Sequence, residues 1–532
     1  MTFRAILPGL GAVVVALVVV AIFVWRDGPR PELRSDQTAI NLMVVKALHP
    51  DWFIGDPLYG TGSSFYIPAF VALQTSVAGL VGNDPLSAIE VLAWPLGVLV
   101  IVGHYLLFRG IVGSPLAAIL GAIAALAVRN ALGGEYWGFD GAASVQSRAL
   151  ALGLGLPLVL AFLRWRETRL LALFFLGVGL LANIHPVTAL HLFEISMLAH
   201  LVLARFRASA WRDAAYGAVA FVLGASPFVV HYLMGRDNVV DPAVFREVRA
   251  ALDYRFDYLL LPQRLPAILS VLFHALLPLG VFWWVLRRVG WSGDLRAISV
   301  LGCAALVVGV AGIAAIQVLA RLSDRPYVDI QQLRATKFAY LPLLAAFPMA
   351  FQDLLARRST PARLGLLALF TASLISPAWL IHSASPEVRD RVKQRLGLTR
   401  PVAESHGPHV GAGEPPPLEA LHRWVVEHAE RNDVFLTDSD VFRLETLRPI
   451  TGAFKDGAYL IVGGTAPFYR WYLYMRDIER CRERLGVDCW FDAADRYRAR
   501  YVVVDPRVAG AVPPAGFERT WSSGDWSVWR RR

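Results

Sequence analysis

Apolar residues come in long runs along this chain, and the polar stretches between the runs are of two kinds. Eleven runs, near residues 5–25, 90–108, 115–132, 149–163, 170–184, 187–204, 214–235, 266–286, 297–320, 338–355 and 364–382, predict membrane-crossing helices. No small-residue cleavage site follows the first run; the next residues are Arg26, Asp27, Gly28 and Pro29, so it reads as an uncleaved anchor. A twelfth run, 66–82, is about 17 residues, at the short limit for spanning. It contains Pro68, Gln74, Thr75, Ser76 and Gly79, and read as a span it inverts every later loop. A helix lying on the outer membrane surface is expected there. The 184–187 connection is tight and reads as a turn or a re-entrant hairpin.

After residue 383 the pattern changes. Residues 384–417 form a linker, rich in Gly, Pro and His over 402–417. Residues 418–431 have the apolar spacing of an amphipathic helix, Val434–Thr437 and Tyr501–Val504 read as buried strands, and 517–530 as a closing hairpin. The predicted fold is therefore an α-helical polytopic membrane protein of about 11 transmembrane helices over 1–383. A long first outer loop over 26–89 and an extracytoplasmic α/β domain over 418–532 complete it.

Composition agrees with the runs. Only 18% of the 532 residues are charged and 56% are hydrophobic, whereas a water-soluble globule carries about 25% charged residues. Mean hydropathy is +0.47. The net charge of +10 needs no nucleic acid. With the N-terminus cytoplasmic, Arg109, Arg164, Arg166, Arg169, Arg205, Arg207, Arg212, Arg287, Arg288, Arg296, Arg357, Arg358 and Arg363 all fall in short loops on one side. That is the positive-inside pattern, so nucleic-acid binding is not expected. The Ala/Arg/Gly/Val-rich composition suggests a bacterial source. The expected location is thus a bacterial inner (cytoplasmic) membrane, with the C-terminal domain outside. Cys481 and Cys489 are close enough in sequence to pair in an exported domain; spacing alone equally allows two free thiols.

The loops assigned to the outer side mix acids, aromatics, His and Arg. Asp36 follows the first run, and Asp51 and Asp56 flank Trp52 and Phe53. A carboxylate at a membrane surface can act as a general base toward a hydroxyl or hold a divalent cation; it can equally be a solvated acid or a helix cap. Glu135 and Asp140 sit beside Tyr136, Trp137 and Phe139. That mixture suits a sugar, and also suits an interfacial aromatic belt. Arg148 begins the next span, as a phosphate contact or a cap. His185 precedes Pro186 in the tight turn, and Glu194 lies about 10 Å deeper at 1.5 Å per residue, an acid that must face a polar cavity or a partner. Arg334 and Lys337 share one face at a helix start, where a phosphate is the natural partner of two cations.

This layout resembles the GT-C superfamily of membrane glycosyltransferases. The resemblance rests on a cytoplasmic N-terminus, a long first outer loop carrying Asp36, the 37–48 stretch, and the run ending Ala78-Gly79-Leu80-Val81-Gly82-Asn83-Asp84-Pro85. The tail residues Leu447-Arg448-Pro449, Phe454-Lys455-Asp456, Trp471 and Arg476 also look like those of bacterial members. It implies Asp36 as catalytic base, Glu135 (or Asp140) as a second outer-loop acid, and Arg334 and Lys337 as the donor-holding cations; Asp56, Arg148 and His185, from their own loops, join Glu135, Asp140, Arg334 and Lys337 as substrate-binding candidates. The implied donor is a sugar on a polyprenyl phosphate; the acceptor is a glycan, lipid or protein. No cofactor is fixed; a divalent cation, Mg2+ or Mn2+, held by Asp36 and Glu135 is the candidate. Asp36 is followed by Gln37, so the paired acids of metal-dependent members are missing. The other function class compatible with the sequence is a transporter or a lipid-handling or assembly scaffold without transfer chemistry.

Overall fold

The computed structural model describes residues 10–21, 36–60, 67–127, 147–234, 245–255, 265–323, 332–357, 359–374, 416–437, 439–484, 487–504, 516–524 and 526–532. The helices of the N-terminal part are α1 (Leu10–Ala21), α2 (Asp36–Leu48), α3 (Pro68–Leu80), α4 (Pro85–Ile111), α5 (Pro115–Ala127), α6 (Ser147–Trp165) and α7 (Leu171–Leu181). They continue as α8 (Pro186–Leu203), α9 (Ala208–Met234), α10 (Phe245–Arg255), α11 (Leu265–Arg288) and α12 (Gly293–Ser323). A 3-10 helix, Gln332–Tyr340, then runs directly into α13 (Leu341–Ala356), and α14 (Thr360–Leu374) follows.

Among the described residues, six helical stretches, not eleven, are long and apolar enough to cross a membrane: Pro85–Ile111, Ser147–Trp165, Pro186–Leu203, Ala208–Met234, Gly293–Ile316 and Gln332–Ala356. The expected count of eleven is corrected accordingly. Of the other five predicted spans, 266–286 coincides with the 24-residue α11, whose side chains over 265–275 lie outside the described residues, and those at 5–25, 115–132, 170–184 and 364–382 contain only the shorter helices α1, α5, α7 and α14, with parts of 5–25, 115–132 and 364–382 also outside the described residues. At 170–184 the physical reason is plain. An apolar run counts turn residues as readily as helical ones, and Ala182, Asn183 and Ile184 belong to the turn before α8. The run at 66–82 gives α3, 13 residues, which at 1.5 Å per residue is about 20 Å, short of the ~30 Å hydrocarbon core.

Local chemistry sets the element ends. Asp84 caps α4, its carboxylate accepting from the backbone N–H of Leu86 (3.0 Å) and Ser87 (3.2 Å), with Pro85 at the first helical position. Glycines set the close crossings. A Cβ on Gly179 of α7 would come within 2.2 Å of the Phe221 carbonyl of α9, and one on Gly224 within 2.5 Å of the Leu176 carbonyl. Small residues thus let these two helices meet backbone to backbone.

Several loops meet at one end of the bundle. Arg164 donates to the Gly110 carbonyl and pairs with Asp294 at 3.3 Å, Arg166 approaches Asp294 at 3.8 Å, and the Ser114 N–H donates to Gln352 Oε1 at 3.0 Å. The first loop lies elsewhere. The Ala69 N–H at the start of α3 donates to the Asn183 carbonyl at 3.3 Å, in the turn between α7 and α8.

The C-terminal part comprises α15 (Pro416–His428), β1 (Phe435–Leu436), α16 (Asp440–Thr446), a short 3-10 turn (Phe454–Asp456), α17 (Gly457–Gly463), α18 (Thr465–Arg484), α19 (Val487–Arg496), β2 (Tyr501–Val504), β3 (Phe517–Ser523) and β4 (Trp526–Arg531). The sheet order is β1-β2-β4-β3. β1 is parallel to β2, with Phe435 opposite Tyr501, and β4 is antiparallel to both β2 and β3. Val502 opposes Trp529, and a register shift between Arg519 and Trp521 bends β3. Cys481 and Cys489 form a disulfide joining α18 to α19, which settles the alternative the spacing left open.

One hydrophobic core joins the first loop to this domain. Leu42, Val44, Phe53, Leu58 and Phe70 pack in the same cluster as Tyr459, Phe468, Trp471, Met475 and Val502. Ala251 and Leu252 of α10 join it. Two segments sharing a buried core lie on the same side of any membrane, so the first loop and the C-terminal domain are co-located.

Candidate functional site

The polar side chains that the sequence singled out gather where the 3-10 helix lies against α8. His185 is the N-cap of α8: its Nδ1 accepts from the Thr188 backbone N–H at 3.1 Å, with Pro186 in the first turn. That acceptor role places the ring proton of the neutral imidazole on Nε2. The Thr188 hydroxyl in turn accepts from Lys337 Nζ at 2.8 Å. Thr188 thereby joins His185 and Lys337, two residues 152 positions apart by their numbers. Two turns deeper, Gln332 Nε2 donates to Glu194 Oε2 at 2.6 Å. Lys337 is only 2% exposed, with its ammonium 5.4 Å from the Phe338 ring centroid. A lysine so enclosed is costly unless compensated.

The other expected site residues divide. Arg334 is half-buried on the 3-10 helix, and Arg148 is half-buried as the second residue of α6. Asp36 is the first residue of α2; its side chain lies outside the described residues, as do Glu135 and Asp140 altogether. The structure therefore brings together His185 and Lys337, with Arg334 on the same short helix. Thr188 and Gln332 complete the cluster. Sequence reading missed both, although Thr188 stands three residues after the capping His185, the spacing at which a cap and its N–H meet.

Asp56, expected to contact substrate, sits inside the joint between the first loop and the C-terminal domain. It is 1% exposed. Its Oδ1 accepts from the backbone N–H of Leu58 (2.9 Å) and Tyr59 (3.1 Å), and its Oδ2 from that of Ile450 (3.1 Å). Arg443 Nε lies 3.0 Å from the same Oδ2, while the other two nitrogens of that guanidinium bond Asp456 at 2.9 and 2.8 Å. Burial works against the charge on Arg443, yet Asp456 and Asp56 hold its proton well above the usual guanidinium range. Burial also pushes the Asp56 carboxyl up, with Arg443 opposing. The surrounding donors decide between the two forms: both oxygens already accept, which favours the carboxylate. A group saturated in this way has no oxygen left for a substrate.

The same joint is stitched at its surface. Ile54 N–H donates to Asn432 Oδ1 and Asn432 Nδ2 to the Asp51 carbonyl, both at 3.0 Å. Arg431 lies 4.4 Å from the Trp52 ring centroid. On the opposite flank, α10 is held to α18 by Tyr254 donating to Glu479 at 2.6 Å and by Tyr469 donating to Glu247.

Among the described residues, no group of three or more His, Cys, Asp or Glu is placed to hold a metal ion. The candidate metal ligand Glu135 and the side chain of Asp36 lie outside them. No known protein family matches the chain, and no curated protein is similar to it.

Proposed function

We propose that this protein is an integral-membrane glycosyltransferase that moves a sugar from a polyprenyl-phosphate donor to an acceptor at the extracytoplasmic face. The observation that carries the reading is the enclosed Lys337. It sits with Arg334 on a 3-10 helix at the N-terminal end of a membrane-length helical stretch, against the capped start of α8. Two cations and the positive end of a helix dipole together attract a phosphate.

In this reading Asp36 takes the proton of the acceptor hydroxyl as its oxygen bonds to the anomeric carbon. The bond from that carbon to the phosphate oxygen breaks, and its electron pair leaves with the phosphate. Lys337 and Arg334 stabilise the charge that develops there. The shared core of the first loop and the C-terminal domain supports placing acceptor and donor on one side. The Cys481–Cys489 disulfide supports making that side the oxidising, extracytoplasmic one.

The test is a transfer assay with purified protein, a panel of polyprenyl-phosphate sugars and envelope acceptors, read by mass spectrometry. Asp36→Asn is expected to slow turnover by about 10²–10⁴-fold, the range for losing a general base. Transfer that proceeds at the parent rate in both Asp36→Asn and Arg334→Ala refutes the mechanism. Glu194, half-buried in a membrane-length helix, favours a second reading, a transporter or lipid handler. Substrate flux abolished by Glu194→Gln would select it.

A further inference from the structure

We propose that Glu194 and Gln332 are a positioning pair that holds the cationic segment Gln332–Tyr340 in its stretched 3-10 winding and so keeps Lys337 enclosed against α8; this rests on reading that segment as the phosphate site. The segment is nine residues long, whereas 3-10 helices seldom exceed ~4 residues because their hydrogen bonds are poorly aligned. Something outside the backbone must favour the tighter winding.

The two side-chain bonds to α8 supply it. They pair Thr188 with Lys337 and Glu194 with Gln332, in antiparallel order. From Thr188 to Glu194 an α-helix rises about 9 Å. From Gln332 to Lys337 a 3-10 helix rises about 10 Å, within about 1 Å of that span. The same five steps in α-helical form rise about 7.5 Å, about 1.5 Å short of it, so the stretched winding brings both anchors nearer to their partners. The 3-10 winding also eclipses residues three apart, which sets positions 334 and 337 along one edge of the segment.

A second contact fixes Gln332 from the opposite side. A Cβ on Gly312 of α12 would come within 2.3 Å of Gln332 Cγ, and one on Gly309 within 2.5 Å of Thr336 Cγ2. The Gln332 stem is thus pressed on a bare stretch of α12 while its amide reaches Glu194. Gln332 is 5% exposed, and its Oε1 accepts no hydrogen bond. The amide is committed to Glu194 through its nitrogen alone. What Glu194 supplies is therefore an acceptor oxygen, which a glutamine can also supply.

The experiment is amine-reactive labelling of the intact, detergent-purified protein, with Lys337 modification read by mass spectrometry against Lys46 as internal reference. The parent and Glu194→Gln are expected to protect Lys337 equally. Glu194→Leu is expected to label at least tenfold faster. Gly312→Ala, which displaces Gln332 from the other side, is expected to behave like Glu194→Leu and serves if that variant does not fold. Equal protection in the parent, Glu194→Leu and Gly312→Ala overturns the proposal, as does Glu194→Gln labelling as fast as Glu194→Leu. Binding of a polyprenyl phosphate in micelles is measured in parallel, with a tenfold weaker Kd expected for Glu194→Leu and an unchanged one for Glu194→Gln. A parent that binds no polyprenyl phosphate while the labelling pattern holds removes the phosphate reading and leaves the pair standing. A parent that binds it, with Lys337 protected alike in all variants, does the reverse.

Discussion

Replacing Asp56 by Asn tests whether this carboxylate holds the protein together. The native group faces three backbone N–H donors and the Arg443 guanidinium. An Asn side chain offers one acceptor oxygen. Turned toward Leu58 and Tyr59, it points its NH2 at the Ile450 N–H and at Arg443, donor against donor. Breaking a buried ion pair from one side costs about 3–5 kcal/mol. Asp456 still bonds two nitrogens of Arg443, so the lower end, about 3 kcal/mol, is expected. At ~3 °C per kcal/mol for a unit of this size, the melting temperature should fall by roughly 10 °C. Intrinsic tryptophan fluorescence on heating reports it, since Trp52, Trp471 and Trp529 all pack in or against the shared core. Combining Asp56→Asn with Arg443→Met should cost less than the sum of the two, because the partners are coupled. A variant that melts within about 2 °C of the parent yet loses activity would return Asp56 to the substrate site and refute the argument. The 2 °C threshold is under 1 kcal/mol on the same scale.

Further outcomes follow from other contacts. His422, 7% exposed and edge-on to Phe442 at 5.6 Å, is pushed down to about 4 by burial from an ordinary 6.5. The unfolded chain therefore binds its proton first as pH falls. Stability is full above pH 6.5 and is lost between 6.5 and 4, by roughly 3 kcal/mol at ~1.4 kcal/mol per unit; urea melts should show that slope in the parent and a flatter one in His422→Leu. Opening the Cys481–Cys489 disulfide, which closes a loop of sequence separation 8, should cost roughly 2.5 kcal/mol by chain entropy. Cys481→Ser/Cys489→Ser melting unchanged would count against that. Gly179→Val should force α7 from α9, since even a Cβ meets the Phe221 carbonyl at 2.2 Å; an unaltered yield of folded protein would show that the helices can separate freely.

Much was legible from one dimension. The apolar runs marked a helical membrane protein, and the charge pattern kept 66–82 from being read as a span. Helix α3, at 13 residues, is indeed too short to cross. The amphipathic spacing after 417 and the β-rich segments at 434–437, 501–504 and 517–530 located α15 and the four strands found among the described residues. These features depend on local periodicity, which a sequence carries directly.

Other features needed the third dimension. The predicted span at 170–184 proved short because hydropathy does not register where helical backbone stops, as at Leu181. Helix α18 was missed although it is 20 residues long; Phe468, Trp471, Tyr474, Met475 and Ile478 bury one face in the core shared with α10 and the first loop while Arg470, Arg476 and Arg480 stay exposed, a partnership invisible in its own sequence. Asp36 could be singled out by its place after the first run. Asp56 had the same composition-level credentials, and only Arg443, 387 positions later by number, decided that it is a buried joint. The same holds for Thr188 and Gln332: each is an ordinary polar residue until folding sets it beside Lys337 or Glu194. Sequence by itself determined which segments are helical and apolar, because that is a matter of near neighbours. Tertiary structure alone decided which polar groups are partners, because a buried charge is stabilised by whatever stands within about 3–4 Å of it, wherever that lies in the chain.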